Sequence, residues 1–192
     1  LISKPTGSGA LLGAFVLNDV YYCFRNNAGG TVANLWKSTS SGWSQVAYEE
    51  EISFTAGGVV TPADGATLTQ GGVTATVRRV VLQSGTWAGG TAAGRFVIGA
   101  RAGGNYAGGA ATLTGGAAVT LTAIQTAITM DDSGKFDFEH TNFGGSALTA
   151  RIYGCDGVNR GFEFDGSYFV PIATGTATDT PKFVAVHKEH LV

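Results

Sequence analysis

One string of anchors occurs twice in this chain, and it limits the possible folds more than any other feature. The stretches "GAFVLNDVYYCFRNNAGGTVANLWKSTSSGWSQV" (Gly13 to Val46) and "GKFDFEHTNFGGSALTARIYGCDGVNRGFEFDGSYFVPI" (Gly134 to Ile172) both open with Gly-x-Phe. Both then reach Asn-x-Gly-Gly, at Asn27 and Asn142, followed by Thr or Ser. Both continue into an aliphatic-aromatic pair, Leu35-Trp36 and Ile152-Tyr153, and after a turn reach Gly42-Trp43 and Gly161-Phe162. A unit of about 40 residues matches a β-propeller blade, which buries both faces only when neighbours stack on it. Within the units, Phe136-Asp137-Phe138-Glu139 and Phe162-Glu163-Phe164-Asp165 alternate aromatic and acidic residues. That is the period of a half-buried strand. The closing "FVAVHKEHLV" (Phe183 to Val192) has the strand, two-residue turn, strand form of "AFVLNDVYYCF" (Ala14 to Phe24). It reads as the start of a third unit. With Leu1 rather than Met at the start, the expectation is a fragment of a longer array, trimmed at both ends.

Between the repeats the character changes. "TPADGATLTQGG" (Thr61 to Gly72) is rich in turn residues, while "VTATVRRVVLQS" (Val73 to Ser84) and "GRFVIGAR" (Gly94 to Arg101) are strands of β-branched and apolar residues. "ATLTGGAAVTLTAIQTAITM" (Ala111 to Met130) reads as further strands around Gly115-Gly116. A helix over Ala117 to Ile128 is rejected, because Val, Ile and Thr crowd it and Val119 and Leu121 alternate with period two. The whole chain therefore reads as all-β. Residues 1–57 form a propeller-like blade, 58–130 an inserted small β-barrel or sandwich, and 131–192 a second blade and the start of a third. Thirty glycines, about twice the usual share, suit a protein of many tight turns.

Several functional classes are excluded or unsupported. Net charge is −2 and the basic residues are scattered, so no electrostatic stripe supports sequence-specific nucleic-acid binding. No apolar run approaches the ~18 residues of a membrane span. "ALLGAFVL" (Ala10 to Leu17) lacks the basic start of a signal peptide and runs into the turn pair Asn18-Asp19. Cys23 and Cys155 make no metal or disulfide framework and are expected as buried free thiols. "GSGALLG" (Gly7 to Gly13) has no preceding strand and no βαβ context, so it is not a nucleotide loop.

The residues that could carry chemistry each have a plainer role. His187 and His190 flank the Lys188-Glu189 turn, but zinc wants more ligands than two; His140 stands alone. Asp156 and Asn159 offer oxygens for calcium but lack a ligand ladder, and a turn suits "CDGVNRG" better. The paired acids Asp137/Glu139 and Glu163/Asp165 fit the wet faces of strands, although a converging pair is what a glycosidase requires. Trp87 and Tyr106 sit in Gly-rich loops and are the expected contact residues of an interaction surface. No catalytic residue, metal or cofactor is expected.

The stretches "GATLTQGGVTATVRRVVLQSGTWAGGTAAGR", "YGCDGVNRGFEFDGSYFVPI" and "TPKFVAVHKEHLV" resemble a family of tailed-bacteriophage virion proteins, covering most of the chain from about Leu12 onward. The resemblance implies a tail or neck structural component, a β-propeller with a small inserted β-domain. It also implies partners among other virion proteins and a cyclic homo-oligomer, with no small-molecule substrate. Two alternatives belong to other classes. A surface or secreted carbohydrate-binding module would stack sugars on Trp87 and Tyr106, and a polysaccharide depolymerase would need an acid pair such as Glu163 and Asp165.

Overall fold

The computed structural model describes residues 3–143, 145, 149–187 and 190–191. The chain is all-β and forms two compact units, one of Leu1–Tyr48 with Thr129–Val192 and one of Glu49–Ile128.

The first unit begins with β1 (Ser8–Leu17) and β2 (Val20–Asn26), joined through Asn18-Asp19. Both turn residues have positive φ, 50° and 63°. That is the type I′ geometry whose twist suits a two-residue hairpin. β3 (Ala33–Thr39) and β4 (Gly42–Gln45) complete a four-stranded antiparallel sheet in sequence order.

The chain then leaves for the second unit and returns in an informative place. Val46 donates its N–H to Leu35 O (2.8 Å), and the next outward position on β3, Ala33, donates to Met130 O (2.9 Å). Val32 and Asp131 form an antiparallel bridge just beyond. Val46 and Met130-Asp131 thus occupy successive positions along the same edge of β3. The inserted unit is spliced into the fourth strand, and Ile128 N–H bonds Glu49 O (2.9 Å) where its ends meet.

The barrel comprises β5 (Glu50–Ala56), β6 (Thr67–Gln70), β7 (Val73–Ser84), β8 (Ala93–Ala102), β9 (Gly109–Leu113) and β10 (Ala118–Leu121). The pairing order β10-β9-β6-β7-β8-β5 closes through β10–β5, giving a six-strand closed barrel. A short β11 (Thr126–Ala127) pairs further along β5. Alternate residues fill the interior, among them Ile52, Phe54, Leu68, Val77, Phe96 and Ile98. The expected insert began at Gly58. The compact unit begins at Glu49 because β5, expected in the first blade, pairs with β8 and β10.

Back in the first unit, β12 (Asp137–Thr141), β13 (Arg151–Cys155), β14 (Phe162–Phe164) and β15 (Phe169–Pro171) form a second four-stranded antiparallel sheet. β16 (Val186–His187) and β17 (His190–Leu191) form a separate two-stranded ladder. The two larger sheets pack through aromatic rings. Phe15, Tyr22 and Phe24 from the first meet Phe136, Phe138, Phe162, Phe164 and Phe169 of the second. Phe24 stacks on Phe136 at 3.8 Å and is fully buried. Glycine makes this closeness possible. A Cβ on Gly13 would lie 2.7 Å from Phe136 Cβ, and one on Gly154 would lie 2.4 Å from Phe162 Cζ.

The repeat is visible in the fold, with a displacement. Gly30 N–H bonds Asn27 O (3.0 Å) and Gly145 N–H bonds Asn142 O (3.1 Å), so both Asn motifs make the same closing hydrogen bond. That equates β2, β3 and β4 with β12, β13 and β14. Each sheet then adds its remaining strand on the opposite side: β1 precedes the repeat in one, β15 follows it in the other. Leu35 and Ile152 are both buried at matching positions. Trp43 and Phe162, matched in sequence, are not equivalent. Phe162 points into the aromatic core, while Trp43 pairs with Ser38 on the opposite sheet face.

Candidate functional site

The two residues expected to form a contact surface are buried. Trp87 is 7% exposed and Tyr106 2%. Trp87 lies in the loop between β7 and β8 and stacks on Phe54 (5.2 Å), which stacks in turn on Phe96 (4.2 Å). Tyr106 follows β8 and enters the barrel from the other end, since Ala93 and Ala102 are opposite ends of that strand. Its hydroxyl donates to Leu68 O (2.9 Å), and its N–H bonds Gln125 Oε1 (2.9 Å). Gln125 Nε2 donates to Asn105 Oδ1, which also accepts from Arg101. Arg101 is held by both oxygens of Glu50. Burial first, and Glu50 second, push the Tyr106 phenol up to about 12, with Arg101 pulling the other way. A buried phenol with a main-chain acceptor is a structural plug. Gly-rich loops were read as exposed. Here they let the two aromatics fold back as caps on a barrel whose ends would otherwise be open.

Three consecutive acids at the start of the barrel are also structural. Glu49 pairs with Arg78 (3.1 Å), Glu50 with Arg101 (2.7 Å) and Glu51 with Arg95 (3.2 Å). Asp156 anchors its turn as expected of "CDGVNRG". Its Oδ1 accepts the N–H groups of Val158 and Asn159, and its Oδ2 accepts from Asn159 Nδ2. Asn159 reaches onward to both main-chain groups of Asp131. Those donors occupy the oxygens that a calcium ion would need. Among the described residues no three His, Cys, Asp or Glu side chains gather as a metal site.

Of the acid pairs, Asp165 caps the turn to β15 through the N–H groups of Ser167 and Tyr168, and Asp137 accepts Val184 N–H. Glu139 and Glu163 lie on either side of Tyr153 in one cross-strand row. Two strand spacings separate them, about 9.6 Å. His140 is exposed on β12. His187 and His190 pair across the β16–β17 ladder, and their side chains lie outside the described residues.

A surface feature that the sequence did not single out adjoins the second sheet. An apolar groove of about 270 Å³ is lined by Tyr153, Cys155, Phe162, Ile172, Pro181 and Phe183. Its wall, the segment around Pro181 to Val184, is pinned by Gly157 N–H to Pro181 O (2.8 Å) and Val184 N–H to Asp137 Oδ2 (3.0 Å). Phe183 is 81% exposed at its rim. The alternation of Phe183 with the residues after it was the available signal, but it was absorbed by the strand reading. Burial, then Asp137 and Asp156, push the Cys155 thiol up to about 11, so it is a weak nucleophile.

Fold and surfaces together define an all-β protein in which a closed six-strand barrel is spliced into a unit of two stacked antiparallel sheets. Compared with known proteins, the chain matches no family model, no curated protein and no solved structure. No helix among the described residues is long and apolar enough to cross a membrane.

Proposed function

We propose that the chain is a non-enzymatic structural component of a bacteriophage tail or neck assembly, located in the virion, supplying scaffold and protein–protein contacts. The two four-stranded sheets act as blades of a β-propeller, and the chain works with other virion proteins in a cyclic homo-oligomer. One observation carries this reading: two sheets whose Asn motifs make the same hydrogen bond, Gly30 N–H to Asn27 O and Gly145 N–H to Asn142 O, stacked through phenylalanines. Repetition of one supersecondary unit, each face covered by the next, is how repeat architectures build rigid scaffolds. The polar clusters speak for the same role. The carboxylates of Glu49 to Glu51, Asp156 and Asp165 are committed to arginines or main-chain amides.

The glycan-binding alternative rested on Trp87 and Tyr106, and neither ring is available to stack on a sugar. The test is sedimentation of native source material followed by mass spectrometry. Peptides of this chain should travel with assembled particles. Their recovery only as a free soluble protein, with no particle-bound fraction, would sink the proposal.

A further inference from the structure

We infer that the apolar groove beside Tyr153 is a binding site for a small aromatic amine, a ring or fused ring pair carrying a protonated ammonium group on a short linker. Every wall of the groove belongs to the first unit. The inference stands whether or not the chain belongs to a virion.

Strand register explains the hollow. Phe138, Phe162 and Phe164 turn toward the aromatic core, so the alternating positions of β12 to β15 face the other way. Two cross-strand rows lie on that outer face. Glu139, Tyr153, Glu163 and Val170 make one. Asp137, Cys155, Gly161 and Ile172 make the other, its last two members tied by Ile172 N–H to Gly161 O (2.6 Å). Gly161 puts no side chain between Cys155 and Ile172. Pro181 stands over the gap without filling it, since a Cβ on Gly161 would lie 3.4 Å from Pro181 Cγ. The space left between the sheet and the Pro181 to Val184 wall is about 270 Å³.

Size and chemistry choose the ligand. An apolar cavity of about 150 Å³ takes a benzene ring, so this groove has room for a fused ring pair with a short tail. Tyr153, Phe162 and Phe183 line it, and a bound ring would cover part of Phe183, which is 81% exposed. The sign of the charge follows from Glu139, the direct cross-strand neighbour of Tyr153. Other carboxylates of this unit are committed: Asp137 accepts Val184 N–H, and Asp165 caps its turn. Among the described residues, half-buried Glu139 has no hydrogen-bond or ion-pair partner. Arg151, on the same face one row away, is not bound to it. Lys182 of the wall packs its stem against Gly157 instead. An unpaired carboxylate and the face of a tyrosine ring, both beside an apolar hollow, favour a cation and disfavour an anion.

The test titrates the whole chain at pH 7 with tryptamine, followed by amide NMR. Tryptophol and indole-3-propionate serve as neutral and anionic controls on the same ring. Tryptamine should bind saturably with a Kd of about 1 mM or tighter. The shifts should centre on the amides of Cys155, Gly161 and Phe183. Tryptophol should bind about fivefold more weakly, and the propionate more weakly still. Gly161→Leu fills the hollow and should abolish binding of all three. Glu139→Gln, a change at a half-buried surface position, should lower tryptamine affinity about fivefold, leave tryptophol unchanged, and decide the matter if the leucine variant fails to fold. No saturable binding to the wild type overturns the inference. So do shifts confined to other parts of the chain, or a Glu139→Gln variant that binds tryptamine as the wild type does.

Discussion

Replacing Tyr106 with Phe isolates one buried hydroxyl. The ring stays, the packing volume is nearly unchanged, and only the hydrogen bond to Leu68 O (2.9 Å) is lost. The net worth of such a bond is about 1 kcal/mol, and the Leu68 carbonyl keeps its main-chain partner because Leu68 pairs with Ala75 in the β6–β7 ladder. A loss of about 0.5–1.5 kcal/mol is therefore expected. An exposed tyrosine would change stability by no more than about 0.5 kcal/mol. Urea unfolding followed by tryptophan fluorescence, with Trp36 and Trp43 replaced by Phe in both proteins, reads the barrel through Trp87, which sits in the same core on Phe54. In thermal unfolding, if the barrel unfolds as its own unit of this size, the loss lowers its Tm by about 4–8 °C per kcal/mol.

A pH series adds a second check. The folded phenol is pushed up to about 12 from its ordinary value near 10. The stability it contributes is complete below about pH 10 and is lost as pH rises toward 12, because the unfolded chain ionises first. The gap between wild type and Tyr106→Phe should therefore narrow across that window. Burial also raises Tyr22 and Tyr48, but both are present in both proteins and cancel in the difference. A change under about 0.5 kcal/mol, with no pH dependence in the gap, would refute the burial of this side chain.

Further outcomes follow from the first unit. Gly154→Ala places a Cβ 2.4 Å from Phe162 Cζ and 3.0 Å from Phe138 Cδ1, so it should destabilise by about 1–3 kcal/mol in denaturant unfolding. Asp156→Ala strips the acceptors from Val158, Asn159 N–H and Asn159 Nδ2, and should cost about 2–3 kcal/mol by the same measurement. Burial pushes the thiols of Cys23 and Cys155 up to about 11. At pH 8 only about one thiol in a thousand is then ionised, and a disulfide reagent should label them only after unfolding.

Much of the local structure was legible because it is written in short periods. Phe162, Glu163 and Phe164 alternate, and the two rings are buried while the acid is not. Asn18-Asp19 marked a two-residue turn, and both residues have positive φ. Val119 and Leu121 spoke against a helix, and they line the barrel from β10. β5 was legible as a strand but not as a barrel strand. Ile52 and Phe54 would bury one face of any sheet, and only pairing with β8 and β10 decides which. Trp87 and Tyr106 were misplaced for a related reason. Composition marks a Gly-rich loop as turn-forming, but it does not say where the loop's one large side chain will go. That depends on Phe54, Leu68 and Gln125, which are remote in sequence from one or both.

The sequence by itself determined that this protein is built of strands, where most of them turn, and that one unit of strands is used twice. These follow from backbone sterics and from the alternation of faces, which act over a few residues. Tertiary structure alone decided that β5 to β10 close into a barrel, that the barrel is spliced into the fourth strand of the first sheet, and that the repeat is displaced by one strand. Those choices turn on which edge finds a partner. Hydrogen bonds between strands are made by main-chain groups that every non-proline residue shares, so the side-chain pattern leaves the pairing open until the whole chain competes for it.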